Sequence, residues 1–267
     1  MNLKQVTNVY FSPTGNTKTV VELIARRISD KVGAVDLTDA GKRPDYHFTE
    51  DEAVVVGVPV YGGRVPKTAL ERLKKLHGRH TPAVLVITYG NRAYDDSLLE
   101  LKSILVQQGF RPAAAVAAPA EHNIIRSIAA GRPDAEDRKR LRQIGGTLKK
   151  MFGAMKSSYQ IRRLQVPGKE PFREFQGVPL KIKVGSSCSN CKTCIRKCPV
   201  QAISRTDPKV TDTQRCIVCM RCVKECPSQA RKINKLVLLA VGQRLKMACA
   251  ERKKPELFLM GKRGGAS

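Results

Sequence analysis

One spacing of cysteines constrains this chain more than anything else in it. Cys188-x2-Cys191-x2-Cys194-x3-Cys198-Pro199 recurs as Cys216-x2-Cys219-x2-Cys222-x3-Cys226-Pro227, offset by 28 residues at every cysteine. Three thiols on a tight loop reach three corners of one four-iron cubane. The fourth opens a short helix and points towards a second site, so paired runs of this form exchange their last ligands. On that rule Cys188, Cys191, Cys194 and Cys226 hold one [4Fe–4S] cluster, and Cys216, Cys219, Cys222 and Cys198 hold the other. Zinc usually takes four ligands in two pairs, and two quartets each followed by proline exceed that need. Small loop residues such as Ser189 and Asn190 leave backbone N–H groups free for cluster sulfurs. The C-x3-C-x2-C spacing of radical-SAM chemistry is absent, and Cys249, on an apolar stripe outside the repeat, is expected in a core.

Disulfides are disfavoured by the N-terminus, which enters a strand-like run with no charged segment, apolar segment and cleavage site before it. No apolar run reaches the roughly 18–20 residues of a membrane span. The expected compartment is the cytoplasm, where thiols stay reduced.

Ahead of the cysteines lies a different pattern. Strand-like runs at Val6–Phe11, Ala34–Leu37, Ala53–Val58, Ala83–Thr88 and Ala113–Ala118 alternate with candidate helices at 17–30, 66–77, 94–108 and 134–156. Near-continuous apolar strands suit a parallel sheet covered on both faces, and the alternation predicts a doubly wound five-stranded α/β sheet over 1–156. Residues 157–180, with Pro167, Gly168, Pro171 and Gly177, read as a linker. A small α+β cysteine domain is expected over 181–235. A basic tail or helix follows over 236–267, with an apolar stripe that includes Leu236, Leu239 and Leu245.

The first strand runs into FSPTGNT, Phe11–Thr17, where hydroxyl residues and one glycine open a helix. Backbone N–H groups and the helix dipole favour a phosphate there, although a plain helix cap would use the same residue types. The loop lacks the Gly-Lys-Ser/Thr ending of a P-loop, and no G-x-G-x-x-G occurs in the chain. Two more loops follow strands: PVYGGRVP (Pro59, Val60, Tyr61, Gly62, Gly63 and onward) and YGNR (Tyr89, Gly90, Asn91, Arg92). Open α/β sheets bind ligands at the carboxyl ends of their strands. A phosphate loop beside two loops with an aromatic and glycine suits FMN.

On these residues the chain resembles the flavodoxin–ferredoxin fusion proteins of anaerobic bacteria and archaea. The resemblance implies a flavodoxin-like FMN domain followed by a bacterial-type two-[4Fe–4S] ferredoxin domain. By it, Ser12, Thr14, Gly15, Asn16 and Thr17 hold the FMN phosphate, while Pro59 to Gly63 and Tyr89 to Arg92 border the isoalloxazine. Many flavodoxins sandwich the ring with tryptophan; this chain has none, so tyrosine is expected to serve. Arg64, Arg92, His122 and Asn123 are weaker candidates around the ring.

The formal net charge is +26. Residues 1–156 carry 25 Lys and Arg against 16 Asp and Glu, and 157–267 carry 24 against 7, so the excess lies in the second part. Aromatics are only 5% and no basic–aromatic platform occurs, which argues against nucleic acid. An acidic redox partner of ferredoxin or flavodoxin type is expected instead, docking at Lys192, Arg196, Lys197, Arg221 and Lys224. The expected function is electron transfer between FMN and the clusters, linking a low-potential donor to an acceptor protein. The rival is an FMN-dependent reductase of a small molecule.

Overall fold

The structure is a computed structural model that describes residues 1, 3–41, 46–175, 177, 178 and 180–261, and in the helix at 235–248 omits the side chains of 235–237, 239–241 and 244. Strands β1 (Gln5–Tyr10), β2 (Val32–Asp36), β3 (Tyr46–Phe48), β4 (Glu52–Pro59), β5 (Leu76–Gly78), β6 (Thr81–Tyr89) and β7 (Phe110–Pro119) alternate with helices α1 (Asn16–Ile28), α2 (Lys67–Leu73), α3 (Ser97–Gln107) and α4 (Ala135–Ala154). The central sheet has the order β2-β1-β4-β6-β7, all parallel, with one antiparallel strand, β10 (Glu256–Leu259), added beyond β7. β3 and β5 form a separate parallel pair.

Alternate residues along each strand face opposite sides, and both sides are covered. Val9, Val54, Val56 and Leu85 pack with Ala69 and Leu73 of α2 and Leu98, Leu101 and Leu105 of α3. Val6, Val55, Val84 and Val86 pack with Val20, Val21 and Ile24 of α1 and Leu141, Ile144 and Leu148 of α4. β6 is buried along its whole length because it lies inside the sheet with helices over both faces. The apolar positions of α1 recur at helical spacing (Val20, Val21, Ile24, Ala25, Ile28), which forms its buried stripe. α4 starts on a capping box in which Asp134 accepts from the Asp137 N–H.

The cysteine region folds as the antiparallel pair β8 (Ile182–Val184) and β9 (Arg231–Ile233) with two short helices, α5 (Thr193–Lys197) and α6 (Arg221–Lys224). A further helix, α7 (Lys235–Ala248), leads to β10.

The helix expected over 66–77 ends at Leu73, and Leu76–Gly78 forms β5; two longer segments also differ from the sequence expectation. Residues 157–180 were expected to be a linker, yet Leu164 is buried in the main core and Val166 packs against it. Lys169 and Arg173 donate backbone N–H groups to the Asp96 carboxylate at 3.1 and 2.8 Å. The polar segment is held because it supplies donors to a buried acid. The tail expected over 236–267 as a basic helix does form α7, but its continuation closes the edge of the sheet, with Leu257 opposite Val116. Leu245 packs with Leu238 against Ile125 and Ile128. The side chains of Leu236 and Leu239, and the basic end at 262–267, lie outside the described residues. No helix among the described residues is long and apolar enough to cross a membrane.

Candidate cofactor sites

The strand order reverses between β1 and β4, because β2 leaves to one side of β1 and the later parallel strands of this sheet, β4, β6 and β7, are added on the other. Loops leaving two such strands diverge and open a crevice, the usual ligand position in this topology. Ser12–Thr17 follows β1 and Val60–Gly63 follows β4, so both expected loops flank it. Gly15 sits at φ +88° as the N-cap of α1, a left-handed turn that brings the helix N–H groups to the end of the strand.

Around this crevice a cleft is lined by Thr14, Asn16 and Thr17 from the first loop, Pro59, Val60 and Tyr61 from the second, and Tyr89 and Gly90 from the third. The Thr17 and Thr88 hydroxyls lie 2.7 Å apart and tie the first loop to β6. Asn16 donates its side-chain amide to the Glu121 carbonyl at 3.2 Å. Sequence reasoning missed Pro13, Thr88, Ala120 and Glu121, which also line the cleft. Its signal for them was weak, since none differs in type from ordinary loop or strand residues.

Other expected residues stand elsewhere. Ser12 accepts from the Lys18 N–H at 3.0 Å and donates its own N–H to Thr38, so it shapes the loop. Gly63, at φ +85°, makes room for Asp95, whose carboxylate would lie 2.2 Å from a β-carbon there. The ring of Phe175 rests on Gly62, bringing an aromatic from the supposed linker onto the second loop. Arg64 is engaged by Glu100 (2.5 and 3.0 Å) and stacks on Phe172. Arg92 pairs with Asp95. Asn91 turns to the C-terminal segment, donating to the carbonyls of Cys249 and Glu251, both at 2.8 Å.

The expected tyrosines part company. Tyr89 is buried in the core, edge-on to Tyr94 with ring centroids 5.1 Å apart, and among the described residues its hydroxyl has no hydrogen-bond partner. Tyr61 is half-buried with its hydroxyl end enclosed. Burial and the neighbouring Cys219 push its phenol up, against a hydrogen bond with Asn123. Tyr61 therefore stands between the cleft and the cysteine region. His122 lies against Gly90, and its Nδ1 accepts the N–H groups of Ile124 (3.2 Å) and Ile125 (3.0 Å). Burial lowers its pKa, so it is a neutral loop organiser.

None of the nine cysteines forms a disulfide. Cys198, Cys216, Cys219 and Cys222 line one small cavity, and Cys188, Cys191, Cys194 and Cys226 line another. The fourth cysteine of each run sits with the other run's triplet. Among the described residues no group of His, Cys, Asp or Glu side chains closes on a single ion position; the thiols stand around cavities. The two loops also share backbone geometry: left-handed residues occur at Asn190 and Val218, Lys192 and Met220, and Gln201 and Gln229, each pair 28 apart. Turns of this kind present successive N–H groups inward, where sulfur can accept them. Burial pushes the Cys219 thiol up to about 12 and that of Cys222 to about 11, so iron has to displace those protons.

Residues 9–93 match the family model of the flavodoxin domain, and residues 187–233 match that of the 4Fe-4S dicluster domain. The chain is a flavodoxin domain followed by a dicluster ferredoxin domain. The flavodoxin domain implies FMN, and the ferredoxin domain implies two [4Fe–4S] clusters. No curated protein matches the chain. Among solved structures, it is similar to a flavodoxin of Streptococcus pneumoniae TIGR4 (19% identity, 55% of this chain and 99% of that one, TM-score 0.38). It is also similar to a Fusobacterium nucleatum flavodoxin bound to flavin mononucleotide (16% identity, 56% and 99%, TM-score 0.39). Rubredoxin:oxygen oxidoreductase from Desulfovibrio gigas is a third (18% identity, 56% and 36%, TM-score 0.37).

The residues present fit both groups. A helix N-terminus with its backbone N–H groups and the Thr14 hydroxyl match a phosphate, while Thr17 and Asn16 hold the turn through Thr88 and Glu121, and Tyr61 offers a flat apolar face beside it. A chamber of about 390 Å³ continues from the cleft past Thr14, Asn16 and Asn123 to Met220, Val223, Lys224 and Cys226 of the ferredoxin domain; small-molecule sites span roughly 300–1,000 Å³. Each cysteine cavity offers four sulfur donors, and in the one lined by Cys216 and Cys219 the Cys198 sulfur accepts the Ala202 N–H at 3.3 Å and the Cys222 sulfur accepts from Arg231 at 3.8 Å.

The ferredoxin domain docks with its second quartet inward. Arg72 of α2 donates to the Pro199 carbonyl at 2.5 Å, and Ile217 packs against the flavodoxin core. Lys224, expected at a partner surface, reaches the Thr14 carbonyl instead. Cys191 of the other quartet is exposed, as are Lys192, Arg196 and Lys197 beside it.

Proposed function

We propose that this FMN and iron–sulfur electron-transfer protein links a low-potential donor to an acceptor protein, in the cytoplasm of an anaerobic cell. What carries the proposal is the unequal exposure of the two quartets. Cys198, Cys216 and Cys222 enclose a cavity with Cys219, which neighbours Tyr61 of the second flavin loop. Cys191 brings the other quartet to solvent among basic residues. FMN held there would supply two-electron uptake with one-electron release, and each cluster a one-electron step.

The chain's residues divide the remaining work. The Thr14–Thr17 turn binds the phosphate and the Tyr61 face orients the ring. Asn123 and His122 shape the loop that covers them. The eight cysteines hold the clusters: Cys188, Cys191, Cys194 and Cys226 the outer one, Cys198, Cys216, Cys219 and Cys222 the inner. Lys192, Arg196 and Lys197 give an acidic protein of ferredoxin or flavodoxin type a place to dock, since opposite charge speeds encounter and fixes orientation. Reduction of a small molecule is the rival reading, supported by the chamber beside the flavin loops.

Stopped-flow reduction by an acidic ferredoxin tests the choice. Salt screens charge within about 10 Å at 0.1 M, so rates should fall steeply with ionic strength. Joint Arg196→Glu and Lys197→Glu substitution should slow transfer with iron content unchanged. Rates indifferent to both salt and charge reversal, with every acidic donor, would reject protein docking here.

A further inference from the structure

We infer that Lys224, carried on the cluster-binding helix α6, is a phosphate-binding residue of the flavin site and so couples seating of the ferredoxin domain to FMN affinity. The inference rests on FMN occupying the Ser12–Thr17 turn.

That turn brings the Thr14 hydroxyl and backbone N–H groups, and the lysine of its own helix, Lys18, lies towards Glu22 and Tyr10, 3.9 Å from the carboxylate and 5.9 Å from the ring centroid. The ferredoxin domain supplies another. Lys224 Nζ donates to the Thr14 carbonyl at 2.5 Å and stands 3.6 Å from where a β-carbon on Gly15 would lie. An anion held by the Thr14–Asn16 backbone is therefore within reach of the ammonium, and charge-assisted bonds to phosphate are the strong ones.

The other charged groups lining that chamber have partners. Arg126 and Glu121 are joined at 2.6 Å, and Glu121 also accepts the Gly131 N–H at 3.0 Å. Arg231 donates to the Pro208 carbonyl, the Thr211 hydroxyl and Cys222 Sγ. Among the described residues Lys224 is bonded to a backbone carbonyl and to no carboxylate, and the Glu121 carboxylate that feels its charge across the chamber is itself held by Arg126 and the Gly131 N–H. Its place in the chain sets its position. Cys222 of the inner quartet lies two residues before it and Cys226 of the outer quartet two residues after, so a loaded ferredoxin domain holds Lys224 at the turn. Linkage is reciprocal: whatever raises FMN affinity through this contact also stabilises the docked arrangement.

The test uses the full chain, loaded with iron and freed of flavin, titrated with FMN and separately with riboflavin, which lacks the phosphate. Lys224→Gln keeps a donor and removes the charge. It should weaken FMN by roughly ten-fold and riboflavin by less than about two-fold, flattening the salt dependence of FMN binding. Lys224→Arg should restore most of the FMN affinity, with iron content checked in each variant. Equal effects on FMN and riboflavin, or no effect on either, in variants with full iron would overturn the role of Lys224 alone. A wild-type chain that binds neither flavin would overturn the FMN reading beneath it as well.

Discussion

Arg252 forks onto Asp134, with Nη1 2.9 Å from one carboxylate oxygen and Nη2 3.1 Å from the other. Asp134 is the N-cap of α4, so a residue some 118 positions later in the chain completes the start of that helix. The fork, together with the Asp137 N–H, holds the Asp134 carboxyl well below the usual carboxylate range. A depressed folded-state pKa stabilises above the ordinary aspartate value of about 3.9 and loses that contribution as pH falls below it. Arg252→Ala should therefore move the acid-unfolding midpoint to higher pH. At neutral pH it should cost roughly 0.5–1 kcal/mol, because the two side chains are 42% and 39% exposed. An acid titration followed by circular dichroism checks the shift; a midpoint unmoved by the substitution would count against it.

Asn91 is the central knot of the C-terminal strap. It donates to the carbonyls of Cys249 and Glu251 and accepts from Arg132 at 3.2 Å and the Lys253 N–H at 3.4 Å. It also sits at φ +65°, where alanine is strained. Asn91→Ala should cost roughly 2–3 kcal/mol, the desolvation of several buried groups left unpaired. Limited proteolysis should then cut within 249–255 sooner than in the parent. Unchanged urea unfolding and unchanged proteolysis together would reject the strap.

His122 carries a pH prediction of definite sign. Its Nδ1 accepts two N–H groups, which an imidazolium cannot do, and burial holds its pKa below the ordinary value. The unfolded chain takes up the proton first, so stability is flat above about pH 6.5 and falls as pH drops below it. The loop over the cleft should loosen in that range, and FMN should weaken with it. His122→Gln should remove the step from an FMN-affinity profile between pH 5 and pH 8; a step that survives belongs to another group.

Metal content separates the nine cysteines. With both quartets filled, anaerobically prepared protein should hold about eight irons, and Cys191→Ala or Cys219→Ala should each reduce this to about four. Cys249→Ser should leave the count unchanged, since Cys249 lies in the Ile125–Ile128 cluster and reaches the Gly90 carbonyl. Stoichiometric zinc with no acid-labile sulfide would sink the cluster assignment.

Local pattern was enough for much of this. The parallel strands are runs of apolar residues whose burial on both faces follows from composition alone, and the cysteine spacing states its own pairing rule. The turn at Ser12–Thr17 was legible because hydroxyl residues and glycine mark a strand-to-helix junction wherever it lies. What escaped were relations between distant segments. The β10 sequence, Glu256–Leu259, is too short and too lightly patterned to announce a strand, and becomes one by pairing with β7. Tyr61 and Tyr89 sit in similar loops, but Tyr89 ends a fully buried strand and its ring goes to the core, while Tyr61 lies in a turn beside the ferredoxin domain. Val218 and Met220 occupy the left-handed positions that Asn190 and Lys192 hold in the first run, and side chains so different hide a backbone repeat that the cysteines impose. The sheet, the two cysteine quartets and the turn after β1 are written in local pattern, because each depends on neighbours within a few residues. Long-range folding brings Lys224 to Thr14, carries Phe175 of the supposed linker to Gly62, and lets the tail close the sheet. Those contacts depend on how two domains and a strap fold back on one another, and no local period records that.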